Sequence, residues 1–413
     1  MIANNLINNA ESFVPITKKL EACDFHSTFS EIFTSSSLIK GSFVSNKIKS
    51  RAMSQETSTA GIPAPNPKVV QHMKENGMPA RVLEGMSNLG WFSDIPSPLS
   101  PESTMEQIHE YVAMTEAGSD MIFNLPNVME YADKLLNDVI EEETTIKGVD
   151  GNDIPVIINA PKSGNAKKAI LFIHGGGMCV LSAKGGTYRT WTRLLAKDGL
   201  IVASVDFRNS SGKARAPFPA GLNDCVSALQ WLADKEEVEE ITIHGESGGA
   251  NLTIATCLRA AKQGVAQDKV SGAAPWAPYI AGPAVWGQWE DAEFESLREN
   301  NGAGIPVDQL IYYARTYTPN EADWKNGEAW PLWMTDEEIE MLPPMSMHVN
   351  DLETLRDEGI AFYQKLAKAG KLVTLQNHLG TTHALHVYAP IFNAFDITEL
   401  SAKAISAFAL RNI

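Results

Sequence analysis

Ser247 stands in the run IHGESGGAN (243–251), flanked by Gly245 and Gly249 and preceded by the apolar stretch ITIHG. Glycine loses more backbone freedom on folding than any other residue, so a cluster of it needs a steric reason. A G-x-S-x-G between a strand and a helix supplies one. The flanking glycines remove Cβ atoms where strand and helix crowd together, and the serine hydroxyl is lifted above the sheet edge at a helix N-terminus, where partial positive charge favours a developing oxyanion. The plain structural alternative is a glycine-rich turn with a capping serine, so the rest of the chain must supply the serine's partners.

A serine hydroxyl is a weak nucleophile without a base, and its tetrahedral intermediate needs hydrogen-bond donors. The donors are expected in HGGG (174–177), which follows the apolar run AILFI. Successive glycines leave backbone N–H groups with no side chain in the way. Gly175 and Gly176 stand first in this reading and Gly177 second to them, with Gly248, the residue after the serine, completing an oxyanion hole. A phosphate loop is excluded, because no Lys-Ser/Thr follows and the spacing is not G-x-G-x-x-G. The base is sought in NHLGTTHALHVY, which holds His378, His383 and His386. His383 lies in the loop after the last strand pattern, where catalytic groups of open α/β sheets gather, and is preferred over His386. No third ligand accompanies these histidines, so no metal is expected. The acid is sought in VNDLETLRDEG (349–359). Thr354 to Asp357 reads as a capping box that starts a helix at Thr354, which leaves Asp357 and Glu358 in its first turn and Asp351 and Glu353 in the loop before it. Pattern does not choose between those two.

The elements that must position these groups follow from periodicity. Strand patterns at 169–174, 199–207, 241–245, 270–276, 345–350 and 372–378 alternate with helical patterns at 187–197, 220–235, 248–263, 355–369 and 394–410. That alternation predicts a largely parallel sheet covered on both faces. A hairpin is predicted over 144–161 around Asp150-Gly151. Before about 142 only short helical patterns occur, at 103–117 and 127–138. The stretch 278–343 is too long for a simple crossover and must be an insertion.

HGGGM, GESGGAN, PFPAGLNDC (217–225) and LRDEG followed by a late histidine together resemble the hormone-sensitive-lipase-like (family IV) esterases, a branch of the α/β-hydrolases that includes bacterial esterases and plant carboxylesterases. The likeness covers about 143–413. It implies an α/β-hydrolase fold, a mostly parallel twisted sheet flanked by helices under a mainly helical cap. It also implies carboxylic ester hydrolysis through an acyl-enzyme, without a cofactor. Members of this branch typically read D-P-L-R-D-E-G, with the first aspartate as the triad acid. Alignment on Leu355 to Gly359 puts Glu353 there, with Thr354 in place of proline and Asp351 as runner-up; Gly248 replaces a usual alanine. Asp224, on the helix under the serine turn, is expected to be structural. The expected domains are an N-terminal arm over 1–60, a helical region over 61–142 contributing to the cap, and a catalytic domain over 143–413 with the cap insertion at 278–343. Six of the nine tryptophans fall between 276 and 333, and Trp276, Trp286 and Trp289 are the candidates for an apolar substrate pocket. Ring packing within the cap is the alternative.

Composition narrows the partners. A net charge of −16 repels phosphate backbones and anionic lipid, so nucleic acid is excluded as a partner. No apolar run is long enough for membrane insertion. Four cysteines, none in C-x-x-C, make no disulfide framework and point to the cytoplasm. The Ser/Thr-rich, basic stretch within 33–60 leaves an organelle presequence open beside the simpler reading of a solvated arm. Glu141-Glu142-Glu143 is expected to be a solvated face. Homo-oligomerisation stays open. Two rival functions share the fold: a ligand-binding receptor without turnover, and a lactonase, lyase or acyltransferase using the same triad.

Overall fold

The computed structural model describes residues 64–93 and 97–412. The arm expected over 1–60, with its presequence alternative, lies outside the described residues.

Four helices open the described chain: α1 (Pro67–Glu75), α2 (Ala80–Asn88), α3 (Met105–Phe123) and α4 (Pro126–Leu135). Local chemistry sets their starts. The Asn66 side chain accepts from the N–H groups of Lys68 and Val69 ahead of Pro67, and Thr104 with Gln107 forms a capping box before α3. Ile108, Val112 and Phe123 of α3 are buried.

Eight strands follow: β1 (Val139–Lys147), β2 (Asp153–Pro161), β3 (Lys168–Ile173), β4 (Ile201–Val205), β5 (Glu240–Glu246), β6 (Val270–Trp276), β7 (Met345–Asn350) and β8 (Val373–His378). They form one sheet in the order β1-β2-β4-β3-β5-β6-β7-β8, and only β2 runs against its neighbours. The hairpin pairs Ile146 with Ile154 around Gly151, whose φ of 79° suits a residue without Cβ. The central strands are buried on both faces, which is why they read as continuous apolar runs rather than alternating ones. Helices α5 (Gly186–Lys197), α6 (Ala220–Ala233) and α7 (Gly248–Gln263) make the first crossovers. Between β6 and β7 the insertion carries α8 (Pro283–Trp286), α9 (Ser296–Glu299), α10 (Val307–Tyr317) and α11 (Asp336–Glu340). The chain closes through α12 (Arg356–Lys368), α13 (Leu385–Tyr388) and α14 (Phe395–Leu410).

Two apolar cores result. One packs α6, α7, α12 and much of the insertion on one face of the sheet. The other packs α1 to α4, α5, α13 and α14 on the opposite face. No helix among the described residues is long and apolar enough to cross a membrane.

Two local expectations are corrected. The glutamate run is part of β1, so the boundary placed at 142/143 cuts a strand; Glu142 and Glu143 are exposed, as a solvated face requires, and Glu141 is half-buried. Glu141 accepts from Arg193 Nε and Nη2 at 2.9 Å each, and Glu143 pairs with Arg189 and Lys184. The helix after β7 starts at Arg356 with no side-chain cap, not at Thr354. Asp357 instead takes the N–H of Ser296 at 2.8 Å and the Arg356 guanidinium at 2.9 Å, so its carboxylate holds the insertion in place of the cap.

The buried carboxylate of Glu358 ties the same helix to the start of the insertion. It accepts from the N–H groups of Ile280 (2.7 Å) and Ala281 (3.1 Å) and from Trp286 Nε1 (2.9 Å). Burial pushes its pKa from 4.5 up to about 8, against the pull of those three donors. The native state therefore binds this proton more tightly than the unfolded chain. The stabilisation is fully present below the ordinary glutamate range and is lost as pH rises through about 8. Denaturation midpoints measured from pH 5 to 9 should fall with rising pH, and Glu358→Gln should flatten that slope. Glu358→Ala, which strands three buried donors, should cost about 3 kcal/mol or more.

Candidate active site

The serine turn is where the sheet is most crowded. An ideal Cβ on Gly245 would lie 2.5 Å from Gly249 O and 2.6 Å from Ile173 O, and one on Gly249 would lie 2.0 Å from Ile173 O. No side chain fits at either position, so β5, β3 and α7 pack backbone to backbone. Ser247 takes up the turn with φ 57° and ψ −121°, a conformation that costs a non-glycine residue about 1–3 kcal/mol. Hydrogen bonds hold it there: its N–H donates to Trp276 O at 2.9 Å, and its carbonyl accepts from Ala250 N at 3.0 Å and Asn251 N at 3.1 Å. The side chain is not wholly closed off; the residue is 6 % exposed.

The loop after β3 lies against this turn. The N–H groups of Gly176, Gly177 and Gly248 donate to nothing among the described residues. A Cβ on Gly248 would stand 2.7 Å from the backbone nitrogens of both Gly177 and Met178, so these segments abut. Gly175 is different, and its place among the expected donors is corrected. Its N–H donates to the Tyr188 hydroxyl at 3.1 Å, which in turn donates to Glu246 Oε1 at 2.6 Å.

The acid and base follow β7 and β8. His383 Nδ1 donates to Glu353 Oε2 at 2.5 Å, and Glu353 Oε1 accepts from the Asn350 N–H at 2.8 Å. Glu353 is fully buried and His383 is 3 % exposed. The other ring nitrogen, His383 Nε2, is buried and makes no hydrogen bond. A neutral imidazole with Nδ1–H on a carboxylate presents a bare lone pair at Nε2, the form that accepts a proton. Asp351 does not reach His383. It borders a polar cleft with His72, Glu299 and Arg356. His378 pairs with His348 at 3.0 Å, and burial lowers its pKa to about 4. His386 is buried against Trp276 with ring centroids 3.8 Å apart, and burial holds its pKa well below the histidine range. Among the described residues no group of three or more His, Cys, Asp or Glu side chains is arranged to hold a metal ion.

The tryptophans are placed differently from the pocket expectation. Trp276 is buried between histidine rings, with Nε1 on Asn350 Oδ1 at 3.0 Å. Trp286 stacks on Tyr279 at 4.3 Å and meets Trp330 edge-on. Trp289 packs partly buried against the core. Their faces are used by neighbouring rings and apolar side chains, and packing accounts for them. Asp224 is structural as expected, accepting from Arg208 N, Nε and Nη2 and from Asn152. Cys179 is buried among Gly177 O, Thr316 and Ser210, and burial pushes its pKa up to about 12.

One buried acid escaped the sequence reading. Glu246 precedes the serine, and burial raises its pKa while the nearby His383 pulls it down. A carboxylate directly before the serine turn was the available signal.

The sequence matches the alpha/beta hydrolase fold family over residues 170–387, just over half of the chain. Brefeldin A esterase, described as a bacterial homologue of human hormone-sensitive lipase, superposes with a TM-score of 0.74 at 30 % identity, covering 80 % of this chain and 93 % of that one. The chain belongs to the hormone-sensitive-lipase-like branch of the α/β-hydrolase family. Within it, esterase Est22 superposes with a TM-score of 0.71 at 29 % identity over 83 % of this chain and all of that one. Esterase LipI of Mycobacterium tuberculosis is 28 % identical over 249 residues, 58 % of this chain and 71 % of its own. An AB hydrolase superfamily protein of Schizosaccharomyces pombe is 27 % identical over 283 residues, 64 % of this chain and 78 % of its own.

The geometry separates the two candidate acids by experiment. Glu353→Gln should slow labelling of Ser247 by a fluorophosphonate at least about 100-fold, since the imidazole loses its anionic partner. Asp351→Asn should label at the wild-type rate. The reverse pattern would move the acid to Asp351.

Proposed function

We propose that this protein is a serine carboxylesterase that hydrolyses small to medium apolar carboxylic esters through an acyl-enzyme intermediate. The observation that carries the reading is the buried His383–Glu353 hydrogen bond, which leaves Nε2 unpartnered at the same carboxyl edge of the sheet as the strained Ser247. The esterases among its relatives support the same reaction class.

In this mechanism His383 Nε2 takes the Ser247 proton as Oγ bonds to the ester carbonyl carbon. The carbonyl oxygen becomes an oxyanion held by the N–H groups of Gly176, Gly177 and Gly248. Donors of this kind bind charge that exists only in the transition state, and each is worth about 3–4 kcal/mol. His383 passes the proton to the departing alkoxide as the C–O bond breaks and leaves the acyl group on Ser247. It then takes a proton from water, which attacks the acyl carbon, and returns it to Ser247 Oγ as the carboxylic acid leaves. Glu353 fixes the imidazole tautomer and stabilises the imidazolium at both stages. No step calls for a cofactor. The buried, unbridged Cys179, Cys225 and Cys257 support placement in a reducing, cytoplasmic compartment.

Ser247→Ala should lower kcat on short p-nitrophenyl esters at least about 10⁴-fold and abolish fluorophosphonate labelling. Turnover retained by this variant would remove Ser247 from its role, and activity on lactones or amides but not on esters would redirect the substrate class. Gly248→Ala keeps the N–H but forces a Cβ into the backbone of Gly177 and Met178. With backbone on the other side of that contact the glycine loop must shift, so we expect kcat to fall about 10- to 100-fold and the thermal midpoint to fall with it.

A further inference from the structure

Asn350 closes β7 and is fully buried. Its backbone N–H and both polar atoms of its side chain are engaged with segments that carry the chemistry. Its backbone N–H donates to Glu353 Oε1 at 2.8 Å. Its side-chain Oδ1 accepts from Trp276 Nε1 at 3.0 Å, and its Nδ2 donates to Thr381 Oγ1 at 2.7 Å. Trp276 is the residue whose carbonyl seats the Ser247 N–H. Thr381 lies in the loop that ends at His383, and its hydroxyl donates to His378 O at 2.6 Å. Two backbone bonds run beside this link, Leu352 N to Thr381 O at 2.9 Å and Asp351 N to His378 O at 3.1 Å.

The polarity of the chain is fixed. An indole N–H only donates, so the amide must turn its oxygen to Trp276 and its NH₂ to Thr381. The Thr381 hydroxyl accepts there and so has its proton free for His378 O. The indole itself cannot swing, because its ring is stacked on His348 and His378 at 4.3 Å each and on His386 at 3.8 Å.

We infer that Asn350 is a positioning residue for the triad, its side-chain amide fixing the base-bearing loop against the acid-bearing loop so that Glu353 meets His383 Nδ1 in line. The inference rests on the proposed roles of Ser247, His383 and Glu353. The backbone bond from Asn350 to Glu353 survives any side-chain change, so substitution of the side chain isolates the link between the loops. A drift of the imidazole by a fraction of an ångström weakens the reaction far more than it weakens substrate binding.

The test uses Asn350→Leu, which removes both amide bonds at similar volume, Thr381→Val, which removes one of them together with the hydroxyl's bond to His378 O, and Thr381→Ser, which keeps both of those. On p-nitrophenyl esters Asn350→Leu should lower kcat about 10- to 100-fold with KM within about twofold of wild type. Thr381→Val should show a smaller loss of the same kind, and Thr381→Ser should match wild type. In the resting protein, the low-field proton resonance of His383 Nδ1–H should weaken or move upfield in Asn350→Leu and Thr381→Val. Should Asn350→Leu not fold, Thr381→Val against Thr381→Ser decides. The inference is overturned if kcat stays within about twofold in the folded variants, or if the resonance is unchanged and the loss lies in KM or tracks the unfolding midpoint. The resonance is also read in Ser247→Ala. A wild type without turnover would thus count against the proposed reaction, while the resonance would still report whether Asn350 aligns the pair.

Discussion

A carboxylate without solvent exposure is tolerated only where donors have been built around it, and Glu353 is such a carboxylate. One oxygen takes the His383 Nδ1–H and the other takes a backbone N–H from the end of β7. Much of the architecture around the site answers this single requirement. β7 and β8 must be adjacent and parallel for their following loops to meet, and their register sets Asn350 opposite His378. The insertion must return over the acid loop. It does so through Asn300, whose side chain donates to Glu353 O at 3.1 Å, and through Ser296, whose hydroxyl donates to Thr354 O at 2.8 Å. Removing the carboxylate would strand the Asn350 N–H and leave His383 Nδ1 without its acceptor.

The serine is governed by a different constraint, one of space rather than charge. Its positive φ is imposed because β5 must turn into α7 within van der Waals reach of β3. The two constraints meet at β6. Trp276, at its end, holds the serine N–H through its carbonyl and the acid's strand through its indole. The ring that composition suggested for a substrate pocket is therefore part of the scaffold.

Much of this was legible in the sequence, and the reasons differ by element. Gly245, Gly249 and the serine between them were readable because steric exclusion leaves glycine as the only solution. The strands were readable because burial on both faces makes continuous apolar runs. The alignment through LRDEG placed Glu353 where the structure brings it to His383, although the capping box drawn from Thr354 does not form. That miss has a physical cause. A capping residue is chosen by competing donors, and Asp357 finds Ser296 N, which lies sixty-one positions away in sequence. Gly175 was misjudged for a related reason. Its N–H is committed to Tyr188, and nothing in a tyrosine thirteen residues later announces that contact. Pairings across long sequence separation, whether Glu246 with Tyr188 or Asn350 with Thr381, carry no local signature.

Glutamate in place of aspartate and threonine in place of proline change what the acid loop needs. A glutamate carries one more rotatable bond, so more side-chain entropy must be surrendered to hold its carboxylate in one geometry. Losing proline also frees a backbone φ that a ring would have fixed. Both changes favour a looser acid, yet both oxygens of Glu353 are pinned and the backbone after it is held at two carbonyls by Asn300 and Ser296. Rigidity that a shorter side chain and a ring would have provided within the loop is supplied here from outside it. The insertion is thereby also part of what holds the acid. A change in how that insertion sits would be felt at His383 through Glu353 and through Ala303, whose carbonyl accepts from the Thr382 hydroxyl.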